Sequence, residues 1–261
     1  MTTGPSLPPG KPRYIGVVAS SAEDDYRKRL YDAYVSTHTG IGAGAAMALV
    51  YRRDIRPNLP ADRATRILDI GCGQGELVRQ LALDGYVNAA GVDISPEQVA
   101  AAHAAGNASV EVGDLLEVLE RRIGDCEVVL ALDLVEHLTK KEVFRTFDRV
   151  FGALSPGGLF IARVPNAVSP FGGNYRYGDF THETSFTARS LTQLSGATGF
   201  QEVCIVASRP VVHGVKSGLR SLVWRGFEGM YKLSLASETG QLKGHIVSQN
   251  IVMVARKATH V

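Results

Sequence analysis

The stretch Ile67-Leu-Asp-Ile-Gly-Cys-Gly-Gln-Gly75 decides the fold, because an apolar strand runs into three glycines at alternate positions. A dinucleotide fingerprint spaces its glycines G-x-G-x-x-G, so that backbone N–H groups meet a pyrophosphate. Here the third glycine comes one residue early, and Asp69 precedes the turn. A carboxylate there repels phosphate and attracts a cation. The stretch therefore predicts a cationic ligand bound by Asp69, Gly71, Cys72, Gly73 and Gly75.

Four further apolar runs follow, each ending in polar or turn residues, at 89–94, 110–115, 126–133 and 158–166. The first of them ends in Asp93 and Ile94, and an acid at this place can accept hydrogen bonds from both hydroxyls of a ribose. Helical stretches separate the runs. This order predicts a parallel sheet with right-handed crossovers and a ligand crevice at the carboxyl ends of the strands.

These motifs, in this order, resemble the class I methyltransferases that use S-adenosylmethionine (SAM), over roughly residues 60–205 and again at 246–256. The resemblance implies an α/β, Rossmann-like fold with a mainly parallel seven-stranded sheet and helices on both faces. It also implies SAM as cofactor and S-adenosylhomocysteine as product. Asp93 and Ile94 would then bind the ribose, Asp114 and Leu115 would frame the adenine, and Asp133 would lie near the cofactor. The alternative for the glycines is a tight strand-to-helix turn that binds no ligand.

The chain of 261 residues is 45% hydrophobic, which is enough to bury one substantial core. We expect four segments: a flexible arm and helical cap at 1–60, a SAM-binding core at 61–209, a helical insertion at 210–245, and the last strand and tail at 246–261. No apolar run approaches the roughly 18 residues of a membrane span, and the start lacks a signal-peptide stretch. Three widely spaced cysteines favour a cytoplasmic location.

Two segments outside the core have helical patterns. Residues 22–37 predict a helix capped by Ser21, followed by a hinge or an ordinary loop at 38–44 and a second helix at 45–53. The insertion predicts a basic amphipathic helix around 215–232. We expect its apolar face to pack on the core; the alternatives are a substrate wall, the surface of a homodimer, or attachment to a membrane surface.

Polar clusters after the fourth and fifth runs carry the candidate chemistry. An alcohol that accepts a methyl group must lose its proton to a base or bind a metal that makes it more acidic. If a helix begins at Asp133, then Asp133, Glu136 and His137 share one face. The segment 174–185 then supplies Asp179 and His182 from the opposite wall. Imidazoles and carboxylates converging there predict a divalent-ion site of Asp133, Glu136, His137 and His182.

Two imidazoles are better suited to Mn²⁺ or Co²⁺ than to Mg²⁺, although Mg²⁺ is abundant in cells. If no metal binds, His182 or His137 is the candidate general base, with Glu136 and Asp179 as further catalytic candidates. D-x-x-E-H is also frequent in class I methyltransferases that need no metal, where the acid and the imidazole orient substrate or cap a helix. Arg163 and Arg176 either contact an acceptor or are solvated on the surface.

The acceptor is predicted from two resemblances. The metal pattern is similar to that of methyltransferases acting on the terminal ribose of small RNAs, with Asp133 in place of their first Glu. Residues 165–187 resemble a branch associated with bacterial polysaccharide and glycolipid synthesis, and the methylmannose-polysaccharide methyltransferases are one candidate. We therefore predict an O-methyltransferase of a saccharide hydroxyl, on a small-molecule or oligosaccharide acceptor.

Other functions stay open at this point. One is methylation of a phenol, a quinone precursor or a lipid. Another is methylation of an RNA ribose, against which the net charge of +2 and the lack of an RNA-binding appendage argue. A protein of a different class, a SAM-binding regulator without catalytic activity, would also match the glycine loop. Intact acids at every cofactor position argue against that interpretation.

Overall fold

A computed structural model of the chain describes residues 43–259 except 213 and 242. Helix α1 (Ala43–Val50) continues as a π-helical turn (Tyr51–Ile55) and a 3-10 turn (Arg56–Asn58). Strands and helices then alternate: β1 (Ile67–Ile70), α2 (Glu76–Leu83), β2 (Ala89–Asp93), α3 (Pro96–Ala104), β3 (Val110–Val112), α4 (Leu115–Arg121), β4 (Cys126–Leu132), α5 (Lys140–Ala153), β5 (Leu154–Pro165), α6 (Gly172–Gly178), α7 (Ala188–Ala197), β6 (Glu202–Ser208), α8 (Val215–Thr239) and β7 (Asn250–Arg256).

The seven strands form one sheet in the order β3-β2-β1-β4-β5-β7-β6. All neighbouring pairs are parallel except those of β7, which runs antiparallel to β5 and β6. The central strands β1 and β4 are buried along almost their whole length because both of their faces are covered. The predicted α/β, Rossmann-like fold with a mainly parallel seven-stranded sheet is confirmed.

Helices cover the sheet on both faces, so the hydrophobic core has two parts, one on each face of the sheet. On one face α4, α5 and α7 pack through Leu119, Phe147 and Leu191, and the rings of Phe147 and Phe160 meet edge to face with centroids 5.1 Å apart. On the other face α1, α2 and α3 pack over β1 and β4. This three-layer arrangement leaves the carboxyl ends of β1, β2, β3, β4 and β5 at one edge, where the glycine loop and the polar clusters lie.

Outside the core, the sequence predicts helices before β1 and in the insertion between β6 and β7. The predicted helix at 22–37 lies outside the described residues, whereas the helix predicted at 45–53 corresponds to α1 and the π-helical turn after it. The insertion forms the predicted helix, α8, but the expected packing of its apolar face on the core is wrong. Its buried residues are Ser217, Glu228 and Ala236, and the large side chains of the predicted apolar face are exposed, apart from the partly buried Tyr231. Among the described helices, none combines the length and the apolar character needed to cross a bilayer.

Candidate cofactor and catalytic site

The glycine loop between β1 and α2 needs its glycines for conformation and for space. Gly71, Gly73 and Gly75 have φ angles of +67°, +54° and +70°, which side-chain-bearing residues rarely adopt. A Cβ on Gly71 would lie 2.6 Å from the Leu134 side chain, and one on Gly75 would lie 2.4 Å from Asn107 Nδ2. The loop therefore has a backbone conformation that requires glycine at these positions, and α2 begins directly after it.

Two acids lie beside this loop. Asp93 at the end of β2 accepts hydrogen bonds from the backbone N–H groups of Gly73 (2.8 Å) and Ser95 (2.9 Å). Asp69 in β1 is 2% exposed, and burial together with the charge of Asp93 raises its pKa well above the usual value. The buried Oε1 of Gln98 has no hydrogen-bond partner among the described residues. The loop therefore offers hydrogen-bond acceptors and a carboxyl group that a bound cation would favour in its ionised form, which fits a ligand that brings cations and donors.

The remaining predicted cofactor residues lie on neighbouring strand ends. Ile94 follows β2 and its side chain is exposed. Asp114 follows β3 and caps α4, since its Oδ1 accepts from the N–H groups of Leu116 (2.8 Å) and Glu117 (3.2 Å). Leu115 is half-buried in the first turn of that helix. A planar, apolar ligand group lying along this edge would meet the exposed Ile94 and the half-buried Leu115.

The loop after β4 differs from the helix on which the sequence argument relied. Asp133 has a φ of +52°, in the left-handed region, and a short 3-10 turn begins only at Val135 (Val135–His137). The expectation that Asp133, Glu136 and His137 share a helical face is therefore wrong. Arg163 of β5 holds Asp133 instead, donating from Nε (3.0 Å) and Nη2 to the two carboxylate oxygens.

Three of the four predicted metal ligands come together. Glu136, His137 and His182 each offer a ligand atom within 4.8 Å of the others, and the two imidazole centroids are 4.6 Å apart. The backbone explains the approach, because the carbonyl of Glu136 accepts from the N–H groups of Glu183 (2.8 Å) and Thr184 (3.1 Å). Asp133 is outside this cluster and is paired with Arg163.

Neighbouring groups fix the orientation of both imidazoles. The Thr181 hydroxyl donates to Asp179 Oδ1 (2.6 Å), so its oxygen accepts from His137 Nδ1 (2.8 Å). The carbonyl oxygen of Tyr175 accepts from His182 Nδ1 (2.7 Å), since a carbonyl has no proton to give. Each neutral ring then has its lone pair on Nε2. Such hydrogen bonds to the far nitrogen are typical of metal-binding histidines.

Burial sets the charge state of the cluster. Desolvation, with a contribution from the nearby His182, lowers the pKa of His137 to about 4, so the ring is neutral at pH 7. Desolvation and the charge of Asp133 raise the pKa of Glu136 well above its usual range. Glu136 is 1% exposed, and its buried Oε2 has no hydrogen-bond partner in the described part of the chain. A cation bound there would give this oxygen a partner and stabilise the ionised carboxylate.

Sequence reasoning missed the groups that orient the cluster. Thr181 was not singled out, although Asp179-Phe-Thr181 has the form of an Asx-turn, in which Asp179 Oδ1 also accepts from the Thr181 N–H (2.8 Å). The roles of Arg163 and Arg176 also differ from an acceptor contact. Arg176 donates to the carbonyl oxygens of His182 and Glu183, the latter at 2.7 Å, and so braces the segment that carries His182.

Comparisons with known proteins show the family to which the chain belongs. Residues 45–205 match a family described as a methyltransferase domain. Because the match covers more than half of the chain, the protein belongs to this family, and its fold and glycine loop make it a member of the class that uses SAM. Among solved structures, a SAM-dependent methyltransferase from Archaeoglobus fulgidus superposes with a TM-score of 0.63 at 20% identity, covering 88% of this chain and 99% of that one.

Relatives of higher identity differ in the acceptor atom that their names give. A ubiquinone biosynthesis O-methyltransferase from Caulobacter sp. (strain K31) is 35% identical over 44% of this chain and 46% of its own length. The ajmaline N-methyltransferase of Rauvolfia serpentina is 34% identical over 44% of this chain and 41% of its own length. The chain thus spans less than half the length of these relatives.

Proposed function

We propose that this chain transfers the methyl group of SAM to a hydroxyl oxygen of a saccharide, with a divalent ion held by Glu136, His137 and His182. The observation that carries the proposal is the position of this cluster. It follows β4 and β5 at the same edge of the sheet as the glycine loop, where an acceptor must approach the sulfonium.

The cofactor part of the proposal rests on charge and hydrogen-bonding capacity. SAM carries an ammonium and a sulfonium. Either cation would stabilise the ionised carboxylate of Asp69, which lies beside the glycine loop. Asp93 keeps lone pairs on both oxygens for ribose hydroxyls after accepting from Gly73 and Ser95. Ile94 and Leu115 would cover the adenine, with Asp114 as the acceptor for its amino group.

In the proposed reaction the protein mainly aligns the acceptor oxygen with the methyl group and excludes water, because the leaving thioether needs no proton. A divalent ion, when bound, would make the acceptor hydroxyl more acidic, so that its proton would pass to solvent as the oxygen attacks the methyl group. Glu136 and the Nε2 atoms of His137 and His182 would hold the ion, and Mn²⁺ fits this donor set better than Mg²⁺. If the enzyme works without metal, His182 accepts the proton at Nε2.

The saccharide part of the proposal rests on the segment before His182. Tyr177 and Phe180 are almost fully exposed there, at 79% and 81%. Exposed aromatic faces beside a polar cluster suit the C–H faces and hydroxyls of a sugar. The same rings would also stack on a phenol, and the ubiquinone O-methyltransferase relative makes a phenolic quinone precursor the second candidate.

The cytoplasmic location of the protein stays a prediction.

A methyl-transfer assay tests the acceptor and the metal together. Radiolabelled SAM is incubated with oligosaccharides, phenols and short RNAs, with and without EDTA, and with Mn²⁺ or Mg²⁺ added back. We expect label in an oligosaccharide, loss of turnover by about 10²-fold or more with EDTA, and a similar loss in Glu136→Gln and His182→Ala. SAM affinity should be unchanged in these variants. His103→Ala, an exposed histidine on α3, is the matched control.

Other outcomes would redirect the proposal. Full turnover in protein shown by elemental analysis to be metal-free would exclude the ion and leave His182 as the base. In that case His182→Ala alone would be inactive and Glu136→Gln would be mildly affected. Label in phenols and not in sugars would establish the second candidate instead.

A further inference from the structure

Helix α8 turns a mixed side toward the protein, on which Trp224, Tyr231 and Leu235 are partly buried, and an apolar side toward solvent. Glu228 on the inner side is buried and paired with Arg209 (3.3 Å) and Lys232 (2.7 Å). Seven large apolar side chains on the outer side are between 52% and 90% exposed: Val215, Leu219, Leu222, Val223, Phe227, Met230 and Leu233. At about 100° per residue they occupy one arc, roughly 140° wide. This exposed apolar arc is too regular to be scattered surface residues.

The size of the arc decides what must cover it. At roughly 100 Å² per side chain, seven side chains expose on the order of 700 Å², which is above the about 300 to 600 Å² of the largest apolar patch on a typical monomer. A standard interface buries about 800 Å² per partner. The arc is therefore large enough to be the apolar centre of a stable dimer interface.

We propose that α8 is a dimerisation helix, which packs antiparallel against α8 of a second copy around a two-fold axis near Gly226. A two-fold axis places residues equally far before and after it opposite each other. Leu219 and Leu233 are each seven residues from Gly226, and Leu222 and Met230 are each four residues from it. These four large apolar side chains of the arc therefore lie opposite one another across the axis.

Space and charge support the same register. Gly226 lies in the middle of the arc, and a Cβ there would meet nothing within 4 Å, so two backbones can approach closely at the crossing. Lys216 and Glu238 flank the same side of the arc, ten residues before and twelve after Gly226. In the antiparallel pair, Lys216 of one copy comes within reach of Glu238 of the other, twice by symmetry.

This ionic complementarity favours a second copy over a lipid surface as the occupant. An anionic membrane would attract Lys216, Arg220 and Arg225 but would repel Glu238 at the end of the same arc. The insertion leaves the sheet after Ser208 and returns at Asn250, which are paired neighbours at the edge that carries the candidate site. Dimerisation through α8 would therefore occur beside that edge in both copies.

Sedimentation velocity of the full chain over a range of concentrations tests the proposal. We expect a species of twice the 28.0 kDa of one chain. Leu222→Glu buries a carboxylate at the seam and should weaken dimerisation by at least 100-fold. Leu83→Glu on α2 is the matched control, because Leu83 is 70% exposed against 66% for Leu222 and lies outside the arc. Circular dichroism melting confirms that each variant is folded.

Charge reversal tests the register. Lys216→Glu and Glu238→Lys should each weaken the dimer several-fold, and the double variant should restore it. A monomer at the highest soluble concentration overturns the proposal, as does a dimer that Leu222→Glu leaves intact. A monomer that binds phosphatidylglycerol vesicles, and loses this binding in Leu222→Glu, would assign the arc to a membrane surface instead.

Discussion

Asp69 shows how a single buried carboxyl group links stability to ligand binding. It is 2% exposed, and its burial and the charge of Asp93 raise its pKa well above the usual value. In the unfolded chain it ionises near pH 4. The folded chain therefore retains the proton at higher pH than the unfolded chain does. The contribution of Asp69 to the free energy of unfolding is then fully present below about pH 4, and it is lost as pH rises through the folded pKa.

We expect Asp69→Asn to be more stable than the natural chain at pH 7, by about 1 kcal/mol or more, because the carboxylate of the unfolded chain must take up a proton on folding and the amide need not. The difference should grow as pH rises above about 4, the unfolded pKa. SAM binding should weaken by about 1.5 to 3 kcal/mol through loss of the charge. Urea unfolding and calorimetry measure the two effects. Glu97→Gln, an exposed acid on α3, is the control; equal stability of Asp69→Asn at every pH would contradict the argument.

At the scale of elements, the strands and the glycine loop could be predicted because their signals are local. Alternating apolar runs, turn residues and acids at strand ends stand next to each other in the chain. The turn after β4 could not be predicted in this way, because Asp133, in its left-handed conformation, pairs with Arg163, thirty residues further on. The meeting of Glu136 with His182 likewise depends on backbone hydrogen bonds between distant segments.

The segment between α6 and α7 is held by residues of the helix that precedes it. His182 lies in a stretch without regular structure, and its position depends on the Tyr175 carbonyl and on Arg176, which bonds to the backbone of His182 and Glu183. Arg176 contributes no ligand to the cluster. It is a positioning residue, which holds the loop against the end of α6.

Arg176→Ala should therefore lower Mn²⁺ affinity by about 10- to 100-fold, the usual effect of removing a group that orients a ligand. SAM affinity should stay the same, since the glycine loop is on other strands. Titration followed by electron paramagnetic resonance measures the metal, and calorimetry measures SAM. Arg189→Ala, an exposed arginine on α7, controls for loss of charge. Unchanged Mn²⁺ affinity in Arg176→Ala would show that the loop needs no such brace.

At the scale of the whole molecule, the apolar pattern around 215–232 predicted the helix correctly, but the predicted orientation of its apolar face was wrong. An amphipathic pattern predicts that one face of the helix is buried, but it does not identify the surface that covers this face. Here Glu228, Lys232 and Arg209 form ion pairs on the inner side, and the apolar arc is left for another molecule. The sequence pattern alone cannot distinguish an apolar face packed on the core from one exposed to solvent, because both have the same helical period.

Replacing residues 212–243 by a short Gly-containing turn separates the roles of this insertion. Ser208 and Asn250 are already paired, so β6 and β7 can stay joined, and retaining 244–249 preserves the bonds of the Asn166 side chain to the carbonyls of Ile246 (2.8 Å) and Ser248 (2.9 Å). We expect a folded monomer with SAM affinity within about twofold, measured by calorimetry, because the glycine loop and its acids lie on the other side of the sheet's centre.

Acceptor methylation in this variant should fall by about 10²-fold if the insertion also lines the acceptor pocket, since a misplaced acceptor loses alignment with the methyl group. Leu222→Glu supplies the comparison, because it breaks the proposed dimer while the helix stays in place. Methylation retained in Leu222→Glu and lost in the shortened chain would assign the pocket to the insertion itself. Equal loss in both would mean that the pocket needs the second copy, and full activity in both would remove the insertion from acceptor binding.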